Sequence, residues 1–125
     1  MTTFPPDISC AQTLPQLFSL RVALTPDAPA YRLYDPATQA WSDLTWAQTA
    51  DRVAPWIQAL VAMQLPAGAR VAILLPNGLH AVCADLSTLA TGCVPVPLHA
   101  IDNPGSIAYI LQDSEASVLI VGQAA

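Results

Sequence analysis

Val71-Ala72-Ile73-Leu74-Leu75-Pro76-Asn77-Gly78 is the stretch on which the reading of the fold turns. A short, uninterrupted apolar run bounded by Gly68 and by Pro76-Asn77-Gly78 is the pattern of a strand buried on both faces, as in a parallel sheet covered by helices. Downstream, Leu79 to Ala90 reads as a helix, with Leu79, Val82, Cys83, Leu86 and Ala90 on one face and His80, Ala84, Ser87 and Thr91 on the other. Gly92 supplies its C-terminal stop. Cys93 to Leu98 is the next strand. Asp102-Asn103-Pro104 starts a further helix, a capping side chain ahead of Pro, with Ile107, Ile110 and Leu111 as its buried stripe. Val118 to Val121 is a last buried strand. From Val71 onward the order is strand, helix, strand, helix, strand, which predicts two right-handed crossovers on a parallel sheet and an α/β fold. Pro95 and Pro97 lie two apart, so the amides they lack point to one side, and that strand is expected at a sheet edge or at a bulge.

Upstream of Gly68 the pattern differs. Thr13 and Gln16 have capping-box spacing, Pro15 falls in the tolerant first turn, and Leu14, Leu17, Phe18 and Leu24 recur at helical spacing until Pro26. Ala30 to Tyr34 and Trp41 to Thr45 flank an Asp35-Pro36-Ala37-Thr38 turn and read as a hairpin, with Trp41 and Trp46 expected to cover its face. Thr45 and Gln48 form a second capping box ahead of a helix whose stripe is Val53, Ile57, Leu60 and Val61. Pro55 lies inside that helix at a cost of about 3 kcal/mol, which predicts a kink or two abutting helices. The expected organisation is a tail over 1–12, a helix–hairpin–helix over 13–65 and a βαβαβ unit over 66–125.

Composition narrows the chemistry. The chain has 125 residues, 54% hydrophobic and only 10% charged, against about 25% charged in an ordinary domain. Its four basic residues, Arg21, Arg32, Arg52 and Arg70, include no lysine, so Schiff-base and P-loop lysine chemistry are excluded. Nine scattered acids set the net charge at −5, and no basic stripe exists to neutralise phosphates, which argues against nucleic-acid binding. Mean hydropathy is +0.45, yet every apolar run is far shorter than the ~18 residues of a membrane span. The N-terminal Met1-Thr2-Thr3-Phe4-Pro5-Pro6-Asp7 has no secretory character, so the expected location is cytoplasmic. Cys10, Cys83 and Cys93 lack metal-site or Cys-x-x-Cys spacing and are expected as structural thiols.

Ligands of α/β sheets sit beyond the carboxyl ends of the strands, which nominates Pro76-Asn77-Gly78, His99-Ala100-Ile101-Asp102 and Gly122-Gln123. None is a phosphate-loop, dinucleotide or nucleophile-elbow fingerprint. Asn77-Gly78 reads as a turn into a helix rather than an anion site. His99 with Asp102 has the look of an oriented base, but no Ser or Cys is placed as its nucleophile, so a loop or interface histidine is the better reading. His80 falls on the polar side of its helix, solvated or against another domain. Asp113 and Glu115 are expected on different faces, as solvated acids rather than a catalytic pair. Trp41, Trp46 and Trp56 read as core or hairpin cover rather than a stacking platform. The residues nominate no catalytic group and no metal site, and leave cofactor-binding residues unknown.

Taken as a block, Thr13 to Val121 resembles the N-terminal start of the adenylate-forming (AMP-binding) superfamily. The resemblance runs through Leu44-Thr45-Trp46-Ala47-Gln48, then Gly68-Ala69-Arg70-Val71-Ala72-Ile73-Leu74-Leu75-Pro76-Asn77, Ala90-Thr91-Gly92-Cys93-Val94-Pro95-Val96-Pro97-Leu98, and Tyr109-Ile110-Leu111-Gln112-Asp113-Ser114-Glu115-Ala116. Within the superfamily it is most similar to long-chain fatty acyl-CoA synthetases. The resemblance implies a parent enzyme that uses ATP and magnesium to convert a small-molecule carboxylic acid to an acyl-adenylate and passes the acyl group to CoA. The family's phosphate loop, adenine motif and catalytic lysine have no counterpart up to Ala125, so the chain reads as a non-catalytic N-terminal piece whose partner is the remainder of that enzyme. Two alternatives stay open: a segment of a fatty acyl-AMP ligase or other adenylating enzyme, and a self-contained α/β interaction module without chemistry. Sparse surface charge predicts that the isolated chain self-associates through apolar faces or an unpaired strand edge.

Overall fold

A computed structural model describes residues 7–122. Expectations that fall on residues 1–6, or on Gln123, lie outside the described residues. The chain divides into two compact units, Met1–Arg52 and Val53–Ala125.

The first unit begins with α1 (Leu14–Leu24) and a hairpin of β1 (Pro29–Asp35) and β2 (Ala40–Thr45). Thr13 caps α1, its hydroxyl accepting from the Gln16 amide at 3.2 Å. The reciprocal half of the box is shifted by one residue, because the Gln16 carboxamide accepts from the Gln12 amide at 2.7 Å instead. No α1 residue is fully buried, and Leu14 and Leu24 of the expected stripe are exposed. The hairpin pairs in antiparallel register, Tyr34 opposite Trp41 and Arg32 opposite Asp43. The Asp35 carboxylate accepts from the Ala37 amide, an Asx turn that reverses the chain.

Trp46 gathers this unit's aromatic side chains. Its ring lies 6.1 Å from Phe18 and 6.2 Å from Tyr31, and the Arg21 guanidinium stacks 5.4 Å from its centroid. Trp46 Nε1 and Arg21 Nε are sealed from solvent with no hydrogen-bond acceptor. For Arg21 the Trp46 ring face supplies a cation–π contact in place of a hydrogen bond. Trp41, expected as cover, is instead 64% exposed and leans on Tyr34 at 5.1 Å. The short hairpin has an outward face, and the two rings shield one another there.

α2 (Trp46–Ala62) opens with a complete capping box: the Thr45 amide donates to Gln48 Oε1 at 2.9 Å, and the Gln48 amide donates to Thr45 Oγ1 at 3.1 Å. It is one continuous helix with Pro55 inside, which corrects the expectation of two abutting helices. Ala54 and Pro55 are exposed, so the proline ring meets solvent rather than packed neighbours and the helix absorbs it.

The second unit holds a three-stranded parallel sheet in the order β4-β3-β5, from β3 (Arg70–Leu74), β4 (Val94–Pro97) and β5 (Val118–Val121), with α3 (Leu79–Ala90) and α4 (Pro104–Asp113) in the crossovers. The α/β reading is the architecture found. Val71, Ala72 and Ile73 are buried in the central strand, and Val71 joins Ala69 and Cys93 in a core that Leu65, Val118 and Ile120 complete. β4 is an edge strand among the described residues, as its prolines require. Val94 and Leu98 donate inward to the carbonyls of Ala69 and Ile73, so strand alternation turns the donor-less nitrogens of Pro95 and Pro97 outward.

Two expectations about burial are corrected here. Of the expected Leu79–Val82–Cys83–Leu86–Ala90 face, α3 buries only Cys83, the others being half-buried or exposed, and it buries Ala84, Ser87 and Thr88 instead. Small side chains let the helix approach closely, and the Ser87 and Thr88 hydroxyls are satisfied by the Ala84 carbonyl at 3.1 and 2.6 Å. β5 is not buried on both faces: Val118 and Ile120 are half-buried while Leu119 and Val121 are exposed, because the cover over Ala72 on that face does not extend, among the described residues, to the edge.

α3 ends in a Schellman motif, Gly92 at φ +76° with its amide on Leu89 O and the Cys93 amide on Thr88 O. α4 repeats that geometry with a non-glycine residue: Glu115 at φ +54°, its amide on Gln112 O and that of Ala116 on Leu111 O. Asn103 caps the start of α4 by accepting from the Ser106 amide at 2.8 Å. No helix among the described residues is long and apolar enough to cross a membrane.

Candidate functional site

The carboxyl ends of β3 and β5 border a cleft of about 390 Å³, lined by Leu75, Pro76, Asn77, Gly78, Leu79, His80 and Gly122. Its position follows from topology. β3 leads through α3 to β4 on one side, while β5 lies on the other, and the gap where connections diverge is where open parallel sheets leave a crevice. Pro76 ends the strand, and Asn77-Gly78 turns the chain into α3, whose start has no side-chain cap. The cleft thus unites two of the three loops nominated from sequence, those carrying Asn77-Gly78 and Gly122.

His80, assigned to the polar side of its helix, is exposed at the cleft rim with its ring 5.9 Å from Trp56. Trp56 is half-buried and supports an imidazole rather than covering the hairpin. This neighbour could not be found from the sequence, because the pair is separated by a turn, a strand and a second turn. The third loop does not join the cleft lining. His99 is exposed, and its backbone carbonyl accepts from the Asp102 amide at 3.0 Å, while the two side chains share no hydrogen bond. The carboxylate does not hold the imidazole, and no oriented base results.

Asp113 and Glu115, expected on different faces, share the rim of an exposed groove of about 340 Å³ with Tyr109 and Gln112. The positive φ at Glu115 turns its side chain back toward the last turn of α4. Among the described residues no group of three His, Cys, Asp or Glu could hold a metal ion. Cys83 and Cys93 are buried thiols and Cys10 is an exposed one. The Asp7 carboxyl is held below the usual carboxylate value by the side chain and then the amide of Ser9, and it is fully exposed. The ion pair present, Arg32 with Asp43 at 3.0 Å, is a cross-strand surface pair on the hairpin. A cleft with one amide, one exposed imidazole and apolar walls can pack or orient a group, but it presents neither a nucleophile–base pair nor a phosphate cradle.

The comparisons with known proteins agree with this topology. The sequence profile described as "AMP-binding enzyme" matches residues 18–125. The chain is 32% identical over 94 residues to the long-chain-fatty-acid–CoA ligase FadD15 of Mycobacterium bovis, covering 74% of this chain and 16% of the relative. It is 32% identical over 115 residues to the long-chain-fatty-acid–AMP ligase FadD26 of Mycobacterium tuberculosis, covering 87% of this chain and 20% of the relative. The crystal structure of the N-terminal domain of FACL13 from Mycobacterium tuberculosis superposes with a TM-score of 0.75 at 26% identity, over 87% of this chain and 26% of that one. The chain therefore spans between a sixth and a fifth of the length of these curated relatives.

Proposed function

Because the chain belongs to the AMP-binding enzyme family and corresponds to the N-terminal segment of an adenylate-forming enzyme of the fatty-acid CoA or AMP ligase kind, we propose that its parent is a fatty acid:CoA ligase in which this segment is scaffold. The observation that carries the reading is the family match over 18–125 laid on a βαβαβ unit whose strand ends hold no catalytic constellation. In that enzyme a fatty acid and ATP give an acyl-adenylate and pyrophosphate, and the acyl group then passes to the CoA thiol.

ATP, magnesium and CoA do not fit the residues present. The chain has no lysine for a phosphate, and its described residues form no carboxylate or histidine cluster for the metal. All three are assigned to the remainder of the parent, and no step of the reaction is routed through this segment. Its contribution is mechanical: β3, buried on both faces, fixes the Asn77–His80 turn and α3 as a rigid wall beside the site built downstream. We assign 13–65 to a helix–hairpin–helix and 66–125 to the βαβαβ part of that scaffold. The cytoplasm is the compartment we assign to the parent, where thiols stay reduced.

The second reading is a fatty acyl-AMP ligase, favoured by the FadD26 likeness, which covers more of the chain than the FadD15 likeness does. Incubating the parent enzyme with ATP, a long-chain fatty acid and CoA separates the two. Acyl-CoA accumulation is the expected result; acyl-adenylate that builds up unchanged by CoA would replace the ligase assignment with the second reading. The isolated chain is expected to self-associate at tens of micromolar, and a single monomeric species in sedimentation velocity would refute that.

A further inference from the structure

We propose that α2 is a jointed helix whose halves are anchored separately and whose rung at Asp51–Pro55 opens locally while both halves stay folded. The N-terminal half is held by the reciprocal Thr45–Gln48 bonds, by Thr49, whose hydroxyl donates to the Thr45 carbonyl at 2.7 Å and which is fully buried, and by the Trp46 ring cluster. The C-terminal half is held by Leu60, which is buried, and by Trp56 against His80. Between them Pro55 has no amide proton, so the Asp51 carbonyl has no donor one turn ahead. Asp51, Arg52, Ala54 and Pro55 are exposed while Val53 between them is buried, so the rung has one side toward water, which can take up that carbonyl. A missing hydrogen bond, a solvent-facing side and separately fixed flanks are the conditions under which a helix opens locally rather than fraying from its end.

Peptide-resolved hydrogen exchange on the 125-residue chain tests this with Pro55→Ala. Exchange across residues 50–57 is expected to slow at least fivefold, while peptides covering 58–62 and β3 change less than threefold. Gln58→Ala, which favours helix on the same exposed surface without restoring the rung, is expected to leave 50–57 within threefold. Slowing of less than fivefold in Pro55→Ala, equal slowing in β3, or the same slowing in Gln58→Ala would each overturn the proposal. Pro55→Lys, which also restores the amide at an exposed position, is read by the same criteria should the alanine variant fail to fold.

Discussion

β4 and β5 flank the same central strand, are each four residues long and run parallel to it, yet their free sides differ. β4 turns the nitrogens of Pro95 and Pro97 outward, so it cannot donate to another strand there. β5 is Val118-Leu119-Ile120-Val121, with no proline, charge or bulge, and its Leu119 and Val121 side chains are exposed. Natural sheets blunt edges that stay free and leave bare those that are covered in the finished protein. The contrast teaches that, among the described residues, the β4 edge can accept but not donate, while the β5 edge can do both. That is the arrangement expected of an N-terminal segment that covers 16% and 20% of two of its relatives.

Five substitutions break or sharpen that contrast. The largest effect belongs to the strand between the two edges: Ile73→Ala, at a buried site, is expected to cost about 2–5 kcal/mol in chemical denaturation. A loss below about 1 kcal/mol would mean that β3 is not the core of the sheet. Next comes the close approach of α3, where Ala84→Leu forces bulk into a fully buried position and is expected to cost about 1–3 kcal/mol. A neutral result would restore the larger apolar face as the packed one. The helix ends give a smaller effect of two signs. Gly92→Ala is expected to lose about 1–2 kcal/mol, since a side chain at φ +76° is strained although nothing crowds it. Glu115→Gly, at φ +54°, is expected to gain about 0.5–1 kcal/mol. Thermal midpoints moving in one direction for both would refute the shared cap geometry. Smallest in stability is Leu119→Lys on the open edge, within about 0.5 kcal/mol because the residue is exposed. It is nonetheless expected to lower self-association measured by sedimentation, and unchanged association would move the contact away from β5.

Most of this architecture was legible in the sequence because its signals are local. Thr45 with Gln48, Asn103 with Pro104, and Gly92 each act within a turn of their own position, and the Val71–Leu75 run names its own burial. Where reading failed, the deciding fact was non-local. The apolar side chains of α3 implied the wrong inner face, because Ser87 and Thr88 satisfy their hydroxyls on Ala84 and so become the better residues for close packing. The burial of β5 was overstated because the number of neighbours a strand has is a property of the sheet. In the cleft, Asn77, Gly78 and Gly122 followed from the rule about strand ends, whereas the Trp56–His80 contact depends on tertiary placement that no spacing encodes.

The most direct test of the scaffold assignment is fatty-acid-dependent ATP–pyrophosphate exchange, measured on the full-length parent and on the 125-residue chain at equal concentration. The account predicts exchange by the parent and none above background by the chain. Exchange catalysed by the chain alone, or a parent that fails to exchange with any fatty acid, would contradict it.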